Sequence, residues 1–442
     1  MKDTMISKIA YITLPILDVF LPPLEGIEVC AAGNQFSLSV ENIDWNILFF
    51  EEKVIQTEDK EVLSGISRIV SRQDFIEWTE NSGKSKELKQ YYKQLNHTEK
   101  VNGIDLFRFI NNKTAELQGY EYIIVGISNK TQIVALECLM QSLSNNFRIL
   151  IYSKLNLSSF QFNCPVCHDV VSIFEIILKK NLPSIELQHD YTKAQDFAKY
   201  YIRAGVWPVR LTSFCFYGRC KFCPRREIKA GRTKFKSIKR LISEIQIINA
   251  TFHVCKVRFI DDCVPLKLLI KFAQEIINQR IEIKWYSCVR FESYLMDDNV
   301  CKLLAQSGCV GLFLGLETAS DPYLELMNKG IDAQSSGIIL QNLFRNHIKA
   351  HVSFLYGFPG GKPEDYDSTE SFILDHLEEI DCVDLNIYCD PKTEKRTIND
   401  QELMYWFRIK GRLSQLDKLS TAWNFIKLWE TEDEISGNQQ LY

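Results

Sequence analysis

Short, largely apolar runs separated by polar or helical stretches mark the first 200 residues of the chain. Such runs suit strands that are buried on both faces, as in a parallel sheet. Residues 132–143 place their apolar side chains at helical spacing, and the more polar stretch at 58–106 predicts an insertion or a solvated helical arm. We therefore predict an open, Rossmann-like α/β sheet over residues 1–200. The apolar runs lie at 9–14, 45–50, 122–127 and 148–152.

From residue 208 onward, strand-like and helix-like segments alternate regularly. Residues 238–248 and 266–279, for example, place their apolar side chains at helical spacing, and these segments lie between apolar runs of strand length. Parallel strands joined by right-handed helical crossovers build a sheet that curves into a full or partial barrel. Ligands of such folds bind at the carboxyl ends of the strands, so we expect the chemistry just after each run. The runs lie at 209–212, 256–260, 283–286, 311–315, 351–356 and 383–387.

Composition narrows the class of protein. The 442 residues carry 52 Lys and Arg against 56 Asp and Glu, a net charge of −4, and 46% are hydrophobic. This balance excludes a disordered or collagen-like chain, and it offers no electrostatic footprint for nucleic acid or an anionic membrane surface. No apolar run approaches the roughly 20 residues of a membrane-spanning helix, and the N-terminus lacks the pattern of a secretory signal. We therefore expect a cytoplasmic protein, in which the 14 cysteines are more often reduced core residues, catalytic groups or metal ligands than disulfides.

Three of those cysteines lie in one short loop directly after the first barrel strand. Cys215, Cys220 and Cys223 have the spacing C-x4-C-x2-C. Zinc usually takes four ligands in structural sites, and no fourth Cys or His lies nearby in the sequence. A 4Fe-4S cluster bound by three cysteines instead leaves one iron open to a non-protein ligand. The alternative is a loop of three reduced cysteines without a metal.

This loop resembles the signature of the radical S-adenosylmethionine (radical SAM) superfamily, C-x3-C-x-aromatic-C. Phe222 fits the aromatic position, and the longer first spacing, with Gly218 and Arg219, is similar to the cobalamin-type subgroup pattern C-x-x-G-[KR]-C-x-F-C. The resemblance implies a partial (β/α)6 barrel of the TIM type over residues 205–395 and a helical extension over 396–442. It also implies a 4Fe-4S cluster held by the three cysteines.

Later strand ends carry further segments that resemble the same superfamily: FIDD at 259–262, SCVRFE at 287–292, GCVGLFLGLET at 308–318 and GFPG at 357–360. The resemblance implies that the aspartates hold the amino group of SAM, that Arg290 faces a carboxylate and that Glu317 binds the ribose or amino acid moiety. One departure is Gly361, which stands at the family's acidic position. No catalytic residue is assigned. The residues that would bind SAM are Phe222, Asp261, Asp262, Arg290, Glu317 and Gly357.

The N-terminal region resembles the cobalamin-binding domains of that subgroup. PPLE at 22–25 is similar to their PPLG element, and YIIVGIS at 122–128 to their V-G-I-S strand. The D-x-H-x-x-G motif that supplies a lower cobalt ligand is absent, and Ser153 and Lys154 stand where paired glycines would admit the nucleotide tail. The region is therefore either a cobalamin-binding domain or a degenerate, structural one. A second C-x-x-C, at Cys164 and Cys167, is interpreted as core or loop thiols.

Together these resemblances imply a radical SAM enzyme that cleaves SAM reductively and uses the 5′-deoxyadenosyl radical to modify a peptide or small natural product. With cobalamin bound, the outcome would be C-methylation; without it, rearrangement, cross-linking or epimerisation. An external electron donor such as flavodoxin or ferredoxin would be a partner, and no nucleic acid or membrane partner is expected. The alternative from a different class is a catalytically inactive iron–sulfur accessory or binding protein that retains the fold.

Overall fold

The computed structural model describes residues 8–17, 23–55, 106–143, 147–155, 157, 160–186, 189–191, 206–212, 215–224, 233–253, 255–390, 393 and 395–419. Two compact units divide the chain. The first comprises Met1–Pro208, Ala230–Lys236 and Ser243–His253, and the second comprises Val209–Lys229, Ser237–Ile242 and Val254–Tyr442. No helix in the described stretches is both long enough and apolar enough to cross a membrane.

A parallel sheet forms the centre of the first unit. Its strands are β1 Ile9–Thr13, β2 Val40–Asp44, β3 Tyr122–Gly126, β4 Arg148–Tyr152 and β5 Val166–Cys167. They follow the order β2-β1-β3-β4-β5, and every pair is parallel. In this doubly wound order, ligands bind at the carboxyl edge where the order reverses, between β1 and β3. The prediction of an open Rossmann-like α/β sheet is confirmed.

Helices pack against this sheet because the strands carry apolar side chains on both faces. They are α1 Glu25–Gln35, α2 Trp45–Phe49, α3 Leu106–Lys113, α4 Ile133–Ser142 and α5 Val170–Leu178. One core cluster contains Trp45, Phe49 and Phe109, and another contains Val29 and Phe174. Of the predicted polar segment 58–106, only Leu106 belongs to the described residues.

The apolar run at 45–50 was predicted as a strand, and this prediction is wrong. The strand is β2, which ends at Asp44, and the run forms helix α2 with a π-helical turn after it at Phe50–Ile55. The Asp44 carboxylate accepts hydrogen bonds from the amides of Asn46 and Ile47, at 3.0 and 3.2 Å. Because a side chain that satisfies these amides starts a helix, the cap overrides the apolar pattern.

A second parallel sheet forms the partial barrel. Its strands are β7 Val206–Val209, β9 Lys256–Phe259, β10 Lys284–Val289, β11 Cys309–Glu317, β12 Lys349–Tyr356 and β13 Ile380–Ile387. They follow the order β13-β12-β11-β10-β9-β7, so neighbours in sequence are neighbours in the sheet. A small pair, β6 Ile185–Glu186 and β8 Thr233–Lys234, is parallel as well. The sequential order brings all strand ends to one edge, which is where the predicted site residues lie.

Helices connect the barrel strands: α6 Ile238–Phe252, α7 Leu266–Asn278, α8 Asp298–Gln306, α9 Asp321–Leu326, α10 Ala333–Arg345 and α11 Pro363–Asp375. In α7, the buried residues recur at helical spacing, and Phe272 packs edge-on against Phe259 and Trp285 at 5.4 and 5.7 Å between ring centroids. A final helix, α12 Asp400–Gln415, lies in the predicted C-terminal extension. Residues 420–442 of that extension lie outside the described residues.

The first barrel strand ends earlier than predicted. The run 209–212 was expected to form it, yet β7 ends at Val209. The carboxylate of Asp261 accepts hydrogen bonds from the amides of Leu211, at 3.1 Å, and Thr212. These amides bind a side chain rather than a neighbouring strand, so the backbone leaves the sheet and enters the cysteine loop.

Candidate functional site

The three predicted cluster cysteines lie in one loop that follows β7. Cys220 is buried, whereas Cys215 and Cys223 are half-buried. Gly218 has a φ of +57°, a left-handed conformation that glycine adopts without strain. This turn lets the amides of Tyr217 and Gly218 donate to the sulfur of Cys215. The loop therefore folds back on its first cysteine, and all three thiols lie within nine residues of the chain.

The thiols of this loop differ in acidity. A hydrogen bond with Cys263, aided by the two backbone amides, lowers the pKa of Cys215 to about 6. Burial raises the pKa of Cys220, against the opposing attraction of the Lys329 and Arg290 cations. Thiolates are the form that binds iron, and two nearby cations offset the charge that such a site concentrates.

Arg290 connects the cysteine loop to the later strand ends. It follows β10 and is buried. Its guanidinium lies 3.5 Å from the ring centroid of Tyr217, and its Nη1 lies 3.7 Å from the sulfur of Cys220. Its Nη2 donates to the carbonyl oxygen of Lys329. One planar side chain thus holds the cysteine loop against the segment after α9.

Glu317 and Lys329 form a buried ion pair beside the cysteines. Lys329 Nζ lies 2.7 Å from Glu317 Oε1, and both side chains are at most 10% exposed. Glu317 ends β11 with a φ of +76°, which is unusual for a residue with a side chain. Burial lowers the pKa of Lys329, but attraction to Glu317 and Cys220 more than compensates, and the net pKa is raised. The lysine therefore stays charged at the centre of the site.

A Cβ on Gly315 would lie 2.5 Å from Glu317 Oε1 and 3.0 Å from Lys329 Nζ. Glycine at this position therefore leaves the space in which the ion pair sits. Phe222 also faces the pair, with its ring centroid 5.3 Å from Lys329 Nζ. Lys329 lies in LELMNKG at 324–330, a segment that extends the resemblance to the superfamily, but the sequence reasoning gave this lysine no role.

The two predicted aspartates differ in their surroundings. Asp261 is buried, and its carboxylate binds the backbone amides at the end of β7. Asp262 is exposed at the same strand end, and its carbonyl oxygen accepts a hydrogen bond from the thiol of Cys288 at 3.2 Å. Asp261 therefore shapes the loop, while Asp262 is the carboxylate that points toward solvent.

The backbone conformation and a close contact explain why residue 357 is a glycine. Its φ is +81°, and a Cβ there would lie 2.7 Å from the Cβ of Ile398. Thr397 Oγ1 also donates to its carbonyl oxygen at 2.6 Å. A Cβ at Gly357 would therefore meet the segment before α12, and the binding of SAM at this glycine, which the resemblance implies, stays a prediction.

Gly361, the departure from the superfamily pattern, lies against two tyrosines. A Cβ there would lie 2.4 Å from the hydroxyl of Tyr366 and 2.6 Å from that of Tyr323. The first hydroxyl donates to Glu402 Oε1 at 2.7 Å, and the second donates to the carbonyl oxygen of Phe358. Both hydroxyls are held by these bonds, so the glycine makes room for them.

We therefore expect Gly361→Glu, which restores the superfamily's acidic residue, to destabilise the barrel by about 1–3 kcal/mol through overpacking. Chemical denaturation measures this change. Gly411→Ala is the matched control, because nothing lies within 4 Å of its Cβ position and α12 should gain up to about 1 kcal/mol. Wild-type stability in Gly361→Glu would contradict the expectation.

The other cysteines behave mostly as packed thiols. Burial raises the pKa of Cys164, and it raises that of Cys167 to about 12. Both are free thiols, in line with the interpretation of this C-x-x-C as core or loop residues. Cys255 and Cys389 are exposed.

The donor set fits an iron–sulfur cluster better than a single ion. Among the described residues, no three His, Cys, Asp or Glu side chains converge closely enough to hold one metal ion. A cluster attaches each cysteine to a different iron, so its ligands do not need to meet at one point. Three thiols in one loop, one of them with a lowered pKa and another beside two cations, suit that requirement.

Comparison with known proteins agrees with this geometry. Residues 209–373 match the model of the radical SAM superfamily, whose members use a 4Fe-4S cluster and SAM. An uncharacterized methyltransferase of Pyrococcus horikoshii is 28% identical over 35% of this chain and 33% of its own length. The bacteriochlorophyllide d C-12(1)-methyltransferase of Chlorobaculum tepidum is 24% identical over 39% of this chain and 38% of its own length. The matching region spans about a third of each of these relatives.

Solved structures share the fold of both units. The radical SAM methyltransferase TsrM of Kitasatospora setae, with cobalamin and a 4Fe-4S cluster bound, has a TM-score of 0.57 at 11% identity, over 87% of this chain and 76% of that one. The cobalamin-dependent radical SAM enzyme OxsB has a TM-score of 0.54 at 13% identity, over 98% of this chain and 56% of that one. The cysteine loop and the strand-end motifs lie within residues 209–373, the part of this chain that matches the radical SAM superfamily.

Proposed function

We propose that this protein is a radical SAM enzyme that modifies a peptide or small natural product. The observation that carries the proposal is the loop of Cys215, Cys220 and Cys223, held by Arg290 inside a radical SAM domain. When bound and reduced, a 4Fe-4S cluster with SAM supplies a 5′-deoxyadenosyl radical that abstracts hydrogen from an unactivated carbon. The three cysteines would hold that cluster.

The protein's own residues bind and orient the cofactors and the substrate, and they exclude water from the site. Arg290 fixes the cysteine loop, and its cation with that of Lys329 offsets negative charge near Cys220. Glu317 and the exposed Asp262 provide carboxylates that accept hydrogen bonds from the ammonium and hydroxyl groups of SAM. Phe222 lies beside Lys329 and packs edge-on against Phe358, with 6.4 Å between the ring centroids.

The same proposal implies an electron donor, a cellular location and a class of substrate. Cleavage of SAM needs an electron from outside the chain, for which flavodoxin or ferredoxin is the proposed donor. The cytoplasm is the proposed location, because such donors are found there and its reducing conditions keep cysteines from forming disulfides. The near-neutral charge of the chain suits a small-molecule or peptide substrate rather than a nucleic acid.

Anaerobic reconstitution with iron and sulfide, followed by reduction with SAM, tests the proposal. We expect the wild-type protein to release 5′-deoxyadenosine and the triple Cys215→Ala, Cys220→Ala, Cys223→Ala variant to release none. Cys255→Ala is the control, because that thiol is exposed outside the loop. A loaded cluster that yields no 5′-deoxyadenosine above the triple variant would overturn the proposal and favour an inactive accessory protein.

C-methylation is the second candidate reaction, and the methyltransferase relatives are the observation that favours it. In the subgroup that the chain resembles, this outcome accompanies bound cobalamin. The described residues of the first unit do not fit the nucleotide tail of cobalamin. Lys154, which stands at the glycine position after β4, donates to Glu28 Oε2 at 2.7 Å, and that carboxylate is completely buried. Tyr152 donates to the same oxygen at 3.2 Å.

The loops at the β1/β3 reversal are also tied together. Gln132 donates to the carbonyl oxygen of Leu14 at 2.8 Å and accepts from the amide of Ser128 at 2.8 Å. Gln132 is fully buried. The edge where a doubly wound sheet takes its ligand is thus crossed by internal hydrogen bonds.

We therefore expect the wild-type protein to lose hydroxocobalamin during gel filtration. The absorption spectrum of the protein peak, compared with its iron content, measures this retention. A corrinoid that coelutes at one equivalent per chain would contradict the expectation and would place C-methylation first.

A further inference from the structure

The two faces of the barrel sheet carry different side chains. Phe259 and Trp285 lie on the face that packs against Phe272 of α7. Successive residues of a strand point to opposite faces, so Arg258 and Tyr286, which are paired across β9 and β10, lie on the other one. That face is the inner face of the barrel, and polar side chains therefore line it at these two strands.

The strand register continues this inner face to β13. Cys288, on the same face of β10, is paired with Phe313, and Phe313 is paired with His351. Ser353 follows two residues after His351 and is paired with Asp384. A row of inward-facing side chains thus crosses the barrel from β10 to β13.

His351 is a buried member of this row with one unpartnered ring nitrogen. It is 6% exposed, its Nδ1 lies 3.1 Å from the hydroxyl of Tyr286, and the ring of Phe313 meets it edge-on at 4.6 Å between centroids. Nε2 is buried and makes no hydrogen bond among the described residues. A buried polar atom in this state is costly unless a ligand or a water satisfies it.

Asp384 lies beside this nitrogen. Its Oδ2 is 3.5 Å from Nε2, and its side chain is 33% exposed. When the Tyr286 hydroxyl donates to Nδ1, the hydrogen of the neutral imidazole is on Nε2, which is then a donor. An ionised carboxylate only accepts, and it accepts several bonds at once. A donor and an acceptor therefore lie side by side, and an alcohol accepts from the one while donating to the other.

We propose that His351 and Asp384 bind a hydroxyl group of the substrate, with Nε2 donating to its oxygen and the carboxylate accepting its hydrogen. The inference rests on the proposed function, and it narrows the substrate to a small molecule or peptide that bears an alcohol. Phe313 suits an apolar part of the substrate next to that hydroxyl. Asn386 Nδ2 donates to Ser353 Oγ at 3.1 Å, so the inner face stays polar farther along β12 and β13.

Titration of the reconstituted protein with benzyl alcohol and with toluene, followed by the NMR signals of each probe, tests the inference. Both probes have an aromatic ring, and only benzyl alcohol has a hydroxyl. We expect the wild-type protein to bind benzyl alcohol about tenfold more tightly than toluene, which corresponds to about 1.4 kcal/mol.

Variants locate the preference. His351→Asn keeps an acceptor near the position of Nδ1 but has no group at that of Nε2, so we expect it to bind both probes equally. Asp384→Ala removes the acceptor and should lose most of the preference as well. His347→Asn is the control, because His347 is exposed and its φ of +55° is one that asparagine tolerates.

A wild-type protein without a preference for benzyl alcohol would overturn the inference, as would a preference that persists in His351→Asn. If His351→Asn does not fold, Asp384→Ala decides alone, and an unchanged preference contradicts the hydroxyl site. Release of 5′-deoxyadenosine separates the two proposals. A wild-type protein that cleaves SAM but does not prefer benzyl alcohol refutes only the hydroxyl site. One that prefers benzyl alcohol but, with a loaded cluster, releases no 5′-deoxyadenosine refutes the proposed function.

Discussion

An Arg290→Ala variant is expected to release 5′-deoxyadenosine about 100-fold more slowly than the wild-type protein. Losing a buried charged contact typically costs about 2–5 kcal/mol, and each step of about 1.4 kcal/mol corresponds to a tenfold change in rate. The guanidinium stacks on Tyr217, approaches Cys220 and donates to the carbonyl oxygen of Lys329. Without it, the cysteine loop keeps its hydrogen bonds to Met327 and Asn328 but loses the stacking and the charged contacts of the guanidinium. We therefore expect the iron content after reconstitution to fall as well.

Two variants sharpen this test. Arg290→Lys keeps the charge but cannot stack as a plane or donate in two directions at once, so it should resemble the alanine variant. Arg345→Ala is the control, since Arg345 is exposed on α10 and donates only a long bond of 3.4 Å to Asn342. Wild-type iron content and SAM cleavage in Arg290→Ala would show that the loop holds its position without the arginine.

The parts of the fold that sequence predicts well are those in which local pattern and tertiary burial agree. The runs at 122–127 and 148–152 contain β3 and β4 because both faces of these strands are covered. The run at 45–50 is just as apolar, yet it forms α2 because one carboxylate, that of Asp44, caps it. Composition alone does not distinguish the two outcomes, since a buried helix and a buried strand expose equally few polar residues.

The residues of the candidate site also differ in how well the sequence predicts them. The cysteines are recognisable in sequence because all three ligands lie within one loop. Cys263 follows the end of β9 and Lys329 follows helix α9, and the order of the sheet brings both segments to that loop. Lys329 matters through its contact with Glu317, twelve residues away, and Cys263 through its contact with Cys215. Lys329 lies in the LELMNKG segment that resembles the superfamily, but no local pattern gives either residue a role.

Breaking the buried Glu317–Lys329 pair is expected to lower the stability of the barrel. In Lys329→Met, Glu317 would be left buried without its cation, and breaking a buried pair in this way typically costs about 3–5 kcal/mol. Hydrogen exchange measured by mass spectrometry should show this as faster opening of β11 and β12, where Glu317 ends its strand.

The double variant Glu317→Gln, Lys329→Met removes both charges and should recover most of the loss, because no uncompensated ion remains. Lys302→Met serves as the control, since its pair with Asp298 is largely exposed and such pairs are worth about 0–1 kcal/mol. The double variant should nevertheless cleave SAM poorly, because the site has lost the carboxylate of Glu317 and a cation near Cys220. Equal destabilisation of the single and double variants would mean that Lys329 stabilises the barrel by packing, and the role of its charge would have to be abandoned.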